Sequence, residues 1–179
     1  MIPTDKQIYE LWEIHHFPPE KRIHVAFVDK VALFFAKKMK KIQHVQINEE
    51  LLHASALTHD IDKNAKKLPG EHHPDAGVRI LKEAGMNEIA QVVVTHPLHA
   101  ILDPTISPKT WEQKFLFLAD KMVKYEIITV DKRFDLWRAE DMSEEAKQIL
   151  EECYPKVKKL ERKILTSLHV LAEDIAFLA

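Results

Sequence analysis

Apolar residues recur at helical spacing along nearly the whole chain, and this periodicity decides the class of fold. His24, Val28, Val31 and Phe35, for example, fall on one face of a helix. Only 3 glycines occur in 179 residues, which argues against a turn-rich β-fold and against a glycine-rich phosphate loop. We therefore predict an all-α helical bundle that forms a single domain over residues 1–179, a length that suits one hydrophobic core.

Short polar or proline-containing segments separate the predicted helices. Asn48 is expected to cap the third helix, and Thr110-x-x-Gln113 to form a capping box at the sixth. Pro155 is expected to break the chain between the last two helices, and the segment 127–130 is a weak candidate for a strand. The predicted helices cover about 4–14, 20–41, 49–59, 74–84, 88–96, 108–125, 130–139, 143–152 and 156–178.

Composition and charge exclude several classes of protein. The formal net charge is −2, so no overall basic field indicates nucleic acid as a partner. The single cysteine, Cys153, excludes an internal disulfide and a multi-cysteine metal site, and its acidic surroundings disfavour a reactive thiolate. The N-terminal residues are polar, and no apolar run is long enough to span a bilayer. We expect a cytoplasmic protein that engages neither nucleic acid nor a membrane.

Four polar residues interrupt apolar helix faces. His24, His59 and His96 each share a face with aliphatic residues, and Asp120 lies within "FLFLADKMV". Taken singly, each has an ordinary explanation, since a core histidine is usually satisfied by a hydrogen bond and a core aspartate by a lysine or a helix cap. Taken together they favour a divalent cation, because imidazole nitrogen and carboxylate oxygen are suitable ligands for Mn, Fe, Zn, Ni or Co.

The adjacent pair His59-Asp60 strengthens this interpretation. Adjacent side chains at a helix end splay to either side, so one metal ion can accept both residues. His24 and Asp120 would arrive from other helices. The sequence therefore predicts a metal site assembled from His24, His59, Asp60 and Asp120.

These residues resemble the motif of the HD superfamily of metal-dependent phosphohydrolases. The order is the same: a histidine on a helix in "IHVAFV", then His-Asp in "LTHDIDK", then an aspartate in "FLADKMV". Asp62 stands where that family usually has glycine, which adds a carboxylate near the site. The resemblance covers roughly residues 10–140, with the helices over about 143–178 expected to pack on that core.

Two further segments resemble the branch of this family that binds two metals. "EHHPDAGVRIL" supplies His73 and "VVVTHPLHA" supplies His96, and the resemblance implies that they hold a second ion with Asp60 bridging. His72 competes with His73 for this role, and His99 is a possible helper. The alternative is that His72, His73 and His99 are loop histidines in water.

The resemblance implies a metal-dependent phosphohydrolase that cleaves a phosphate ester or anhydride of a nucleotide or similar small phosphate. One or two divalent ions (Mn, Fe, Zn, Ni, Co or Mg) would lower the pKa of bound water from ~15.7 towards ~7. Asp60 would be ligand and bridge, and Lys63 would contact the phosphate, unless it is a solvated lysine. Asp62, Asp103 and His99 are candidates for a general acid or base by location only.

Two other functions stay open at this point. Some HD-fold proteins with similar ligands are di-iron oxygenases, and a non-catalytic, metal-stabilised nucleotide-binding module is also compatible with the motif. "ADKMVKYEIITVDKRF" resembles family members in which Ala-Asp-Lys leads to Glu-Arg-Phe, and Arg133 and Phe134 match the end of that segment. Arg133 is a candidate for a structural ion pair. The apolar stripe from Val157 to Leu178 is expected to pack on its own domain, with a homodimer seam as the alternative.

Overall fold

A computed structural model describes residues 2–178, which fold into nine α-helices and one 3₁₀ helix, with no strand among these residues. The prediction of an all-α fold is confirmed. The helices are α1 Asp5–Ile14, α2 Pro19–Gln43, α3 Glu49–Thr58, α4 Asp75–Glu83, α5 Asn87–Val93, the 3₁₀ helix Leu98–Leu102, α6 Trp111–Asp120, α7 Val130–Arg138, α8 Glu144–Leu168 and α9 Ala172–Ala176.

Helix α2 lies at the centre of the bundle and packs against α3, α6 and α8. Pro18 and Pro19 start it, since proline is tolerated at a helix start, where a backbone N–H would have no acceptor within the helix. Its inward face carries Val28, Val31 and Phe35, all fully buried, as their spacing predicted. One hydrophobic cluster takes in residues from α1 to α9. No helix within residues 2–178 combines the length and apolar character that crossing a bilayer requires.

The predicted helix starts are confirmed at two caps. The Asn48 side chain accepts a hydrogen bond from the Leu51 backbone N–H at 3.0 Å. Thr110 and Gln113 form the predicted capping box at the start of α6. These local bonds satisfy N–H groups that a helix start otherwise leaves unpaired.

The predicted chain break at Pro155 is wrong, because α8 continues through it from Glu144 to Leu168. Pro155 is exposed, so the carbonyl that loses its N–H partner can be hydrated. On the opposite face Cys153 and Val157 are fully buried, and their packing holds the helix together across the proline. The helix ends instead at His169, whose backbone is left-handed with φ 54°.

Helices α5 and α6 also end earlier than predicted, at Val93 and Asp120. The predicted strand at 127–130 is likewise absent: Ile127 forms only an isolated antiparallel bridge with Val123, and Val130 begins α7. Because α5 ends early, the candidate ligand His96 lies outside regular helix, and Asp120 becomes the last residue of α6.

The C-terminal stripe packs mainly on its own core. Val157, Ile164, Leu168 and Ile175 are fully buried, whereas Leu171 is 66% exposed. The turn after α8 moves Leu171 off the line that a continuous helix would follow. The homodimer stays a prediction.

A histidine on α3 ties the first three helices together. The His53 imidazole lies 2.9 Å from Asp29 Oδ1 on α2 and 3.1 Å from Asp5 Oδ1 on α1. The hydrogen bond to Asp29 raises the pKa of His53 to about 9 against the opposing effect of burial, and Asp5 adds to the increase. A charged imidazole therefore bridges two carboxylates near neutral pH.

We expect His53→Gln to destabilise the protein in a pH-dependent way. The folded-state pKa is raised, so the stabilisation is complete below the unfolded pKa of about 6.5 and is lost as pH rises through about 9. The imidazole is partly exposed, so screening by water limits the expected loss to about 1 kcal/mol at low pH. Urea unfolding of both proteins at about pH 6 and about pH 10 measures it, and an equal difference at both pH values would contradict this assignment.

Candidate metal centre

The predicted metal ligands meet at one end of the bundle, and most of them lie at helix ends. His59 caps the C-terminus of α3 and Asp60 follows it, while Asp120 is the last residue of α6. His96 lies beyond the end of α5 rather than on it, so the sequence-based placement of His96 within that helix is wrong. His24, by contrast, projects from within α2.

Each of the four histidines that meet here points its Nε2 atom toward a neighbouring ligand of the cluster and donates through Nδ1. His59 and His96 donate to the carbonyls three residues before them, Ala56 O at 2.8 Å and Val93 O at 2.6 Å. His24 donates to Lys124 O at 3.0 Å. These bonds fix the tautomers of the imidazoles, and the bond to Ala56 also gives a partner to a carbonyl at the end of α3. The lone pair of each Nε2 is thereby directed at the site, as a metal ligand requires.

His73 obtains the same orientation from Asp62. This carboxylate is fully buried and accepts from His73 Nδ1 at 2.9 Å. Sequence reasoning named Asp62 only as a possible acid or base by location and missed this orienting role. The signal was available in "HDIDK": a carboxylate beside the paired ligands can support a further histidine.

The donor atoms form two groups that share Asp60. His24, His59 and Asp60 form one group, and Asp60, His73 and His96 form the other, with ligand atoms within 4.8 Å of one another in each. Each group can hold a divalent metal ion.

Several distances suit ligands of one ion, both within the second group and from the two histidines of the first group to Asp120, which lies outside both groups. Two ligands at ~2.1 Å from one ion are at most about 4.2 Å apart. Asp120 Oδ1 lies 3.1 Å from His24 Nε2 and 3.4 Å from His59 Nε2. Asp60 Oδ1 lies 3.7 Å from His73 Nε2 and 3.9 Å from His96 Nε2.

The chemistry of the inward-facing atoms gives a second test of fit. His59 Nε2 is buried and has no hydrogen-bond partner among the described residues. His73 Nε2 and His96 Nε2 lie 2.9 Å apart, and with Nδ1 committed outward both are acceptors. Electron pairs crowded in this way require protons or cations between them. A metal ion supplies that cation, so the residues present fit the group.

Asp120 is also paired with a lysine, which is the ordinary explanation that the sequence allowed for it. Lys121 is 1% exposed, and its Nζ donates to Asp120 Oδ2 at 2.7 Å and to the His96 backbone carbonyl. This leaves Oδ1 of Asp120 directed at His24 and His59. The lysine stabilises the carboxylate without closing the site.

Electrostatics hold Asp60, Asp120 and His96 in the protonation state that metal binding needs. Burial opposes ionisation of Asp60, but His59 and Lys63 outweigh it and lower its pKa. Burial likewise opposes ionisation of Asp120, and Lys121 leads the groups that hold its pKa well below the usual range. Burial, with His59 and His73, lowers the pKa of His96 well below its usual value.

His59 is the exception among these donors. Burial disfavours its charged form, but the carboxylates of Asp60 and Asp120 outweigh burial and raise its pKa. A proton on Nε2 therefore competes with a metal ion for the same lone pair, so we expect the affinity for metal to decrease as the pH is lowered.

A cavity of about 280 Å³ opens over the two groups, and cationic side chains line it. Lys63 Nζ lies 3.3 Å from Asp60 Oδ1, and Lys21 Nζ lies 3.4 Å from Asp60 Oδ2. Sequence reasoning named Lys63 but missed Lys21, which is one helical turn before His24 on α2. Lys121 and Arg133 complete the set.

Arg133 does not form the structural ion pair that its sequence context indicated. No carboxylate among residues 2–178 lies within salt-bridge distance of it, and its Nε is buried without a hydrogen-bond partner. Its guanidinium instead lies 4.5 Å from the centre of the Trp137 ring. The charge is thus positioned at the cavity by an aromatic face.

Other candidates lie outside the ligand groups. His72 is exposed and does not line the cavity, whereas His99 lines it. Asp103 accepts hydrogen bonds from the backbone and hydroxyl of Thr105, which makes it a turn residue. Burial raises the pKa of the Cys153 thiol to about 11, in keeping with its exclusion as a nucleophile.

Comparison with protein-family models, with curated proteins and with solved structures finds no match for this chain. The resemblance to the HD superfamily therefore stays a prediction that rests on the motif residues.

We expect metal stoichiometry to follow the two donor groups. His59→Gln should remove binding at one group and His73→Gln at the other, while Asp60→Ala should remove both because it belongs to both. Titration of metal-free protein with Mn²⁺ or Co²⁺ by calorimetry measures this, with His72→Gln as the matched control. Unchanged stoichiometry in Asp60→Ala would refute the centre.

Substitution of Asp62 offers a separate test that leaves every proposed metal ligand in place. Asp62→Ala should weaken the group that contains His73 by about 10- to 100-fold, because the imidazole loses the partner that fixes its tautomer. Asp62→Asn keeps an oxygen that can accept from Nδ1 and should recover part of the affinity. If both groups weaken equally in Asp62→Ala, the effect is general damage and not orientation of His73.

Proposed function

We propose that the protein is a metal-dependent phosphohydrolase that cleaves a phosphate ester or anhydride of a nucleotide or similar small phosphate. One observation carries the proposal: Asp60, shared by two donor groups, lies in a small cavity lined by Lys21, Lys63, Lys121 and Arg133. Donors for divalent metal together with converging cations suit an anionic substrate that water attacks.

The metal would be held by the residues of the two groups together with Asp120. When bound, a divalent ion would lower the pKa of its water and would stabilise the negative charge that develops on the phosphoryl oxygens. The side chains themselves supply the rest: Asp62 and the helix-end carbonyls hold the imidazoles, and the buried Lys121 holds Asp120 ionised.

The balance of charge in the cavity supports an anionic ligand. Four cationic side chains line it, against the carboxylates of Asp60 and Asp120. Any bound divalent ion adds to this positive excess. A phosphate monoester carries about −1.5 to −2 charge at neutral pH and would neutralise it.

Lys63 and Arg133 are the best placed to contact the phosphate. Lys63 carries three donors on a partly exposed, flexible chain that reaches Asp60. Arg133 carries a planar fork of donors with no carboxylate partner in the described chain. Catalysis of phosphoryl transfer depends chiefly on positioning and charge stabilisation, which these two groups can provide without entering covalent chemistry.

A di-iron oxygenase would use the same kinds of donor, so the ligand set alone does not separate the two activities. The cationic lining favours the phosphohydrolase, because charge stabilisation of a phosphoryl group uses it directly. A non-catalytic nucleotide-binding module would also use the cations, and it is distinguished by the absence of metal-dependent turnover.

We expect Lys63→Gln and Arg133→Gln each to lower kcat/KM for a small phosphate substrate by about 10- to 1000-fold, as loss of a charge-stabilising group typically does. Phosphate release from a panel of nucleotides and alkyl phosphates, with Mn²⁺ or Co²⁺ added to metal-free protein, measures it. Lys66→Gln is the matched control, since it lies in the same loop but does not line the cavity.

Metal-dependent phosphate release that is equal in all three variants would contradict the roles of Lys63 and Arg133. No phosphate release from any substrate, together with oxygen uptake by the iron-loaded protein, would replace the phosphohydrolase with the oxygenase.

A further inference from the structure

A second cavity adjoins the metal cavity, and its walls are mostly apolar. Its volume is about 340 Å³, and it shares Leu98, His99 and Trp137 with the metal cavity. The remaining walls come from Met142 and from the first turns of α8. The two spaces therefore adjoin at these shared residues.

The chemistry of the second cavity differs from that of the first. Among its lining residues only His99 and Trp137 carry a nitrogen-bearing side chain, and no charged side chain lines it. Ile149 on α8 is 36% exposed and Met142 is half-buried. Apolar surface next to a charged site favours a ligand that has both characters.

Trp137 stands at the junction of the two spaces and is fixed on both sides. The Arg133 guanidinium lies 4.5 Å from its ring centre, and the Phe134 ring packs edge-on at 5.1 Å. Arg133 and Trp137 are four residues apart on α7, so the helix sets their spacing. A phosphate at Arg133 would leave its organic group beside the indole.

We propose that this cavity binds the organic group of the substrate and selects a small phosphate whose organic group is apolar or aromatic. The inference rests on the proposed phosphohydrolase function and names its substrate class. The walls offer ring and aliphatic surface but few hydrogen-bonding groups, so they recognise apolar area and do not distinguish one nucleobase from another.

Binding of non-hydrolysable analogues tests the cavity apart from turnover. 2-Phenylethylphosphonate and ethylphosphonate carry the same anionic head and differ by a phenyl ring. Calorimetry with the metal-loaded protein should show the phenyl compound binding about tenfold or more tightly, because burial of the ring removes apolar surface from water.

Two variants locate the effect. Ile149→Thr and Met142→Gln both make the wall polar, the second with little change in volume, and each should reduce the preference for the phenyl compound by about three- to tenfold. Affinity for ethylphosphonate should stay unchanged. Ile14→Thr is the matched control, since Ile14 is 68% exposed and lines neither cavity.

Equal affinity for the two phosphonates, or a preference that survives both variants, would overturn the inference. Hydrolysis of 2-phenylethyl phosphate and ethyl phosphate, measured in parallel, keeps the two proposals separate. Hydrolysis of both esters at equal affinity supports the phosphohydrolase and overturns the apolar cavity. A phenyl preference in binding that the variants reduce, without phosphate release from these esters or from any nucleotide of the panel, supports the cavity as a ligand site and rejects the phosphohydrolase.

Discussion

The candidate metal centre depends on hydrogen bonds from imidazole Nδ1 atoms to acceptors behind them. His59 and His96 donate to the carbonyls three residues before them, at the ends of α3 and α5. Each of these bonds selects the tautomer and directs Nε2 at the site, and the bond from His59 also gives the Ala56 carbonyl a partner. His73, which has no such carbonyl, uses the buried carboxylate of Asp62 instead. Three of the proposed ligands, His59, His96 and Asp120, thus lie at or just beyond the end of a helix.

The second constraint is the cost of keeping carboxylates ionised below the surface. Asp60 and Asp120 are held ionised by neighbouring cations against the effect of burial. Lys121 serves one oxygen of Asp120 and leaves the other directed at two histidines, so charge is balanced without saturating the donor set. This division of one carboxylate between a fixed cation and an open site reconciles the lysine-paired and the metal-binding interpretations of Asp120.

Sequence periodicity was sufficient for the fold class and indicated His24, His59 and Asp120, because buried faces and the polar residues that break them are visible in one dimension, whereas His73 came only from the resemblance to the HD superfamily. Helix ends were less predictable. Positive φ values, which usually indicate glycine, occur at His16, His44 and His169. The number of histidines therefore does not distinguish those that end helices from those that could bind metal. Pro155, conversely, was predicted to end a helix but lies within α8, because on an exposed face water can satisfy the carbonyl that loses its partner. The role of Lys21, and which histidine Asp62 orients, required three-dimensional contacts across elements.

Helix α7 joins the two halves of the proposed substrate site through one face. Arg133 presents charge to the metal cavity, and Trp137, one turn later, presents a ring to both cavities. Their stacking at 4.5 Å holds a guanidinium that no carboxylate neutralises, so its charge stays available to an anion. A neutralising salt bridge would fix the guanidinium equally well but would cancel that charge. The aromatic partner therefore suits a phosphate site, and it places apolar surface beside that charge, where we propose that the organic group of an ester lies.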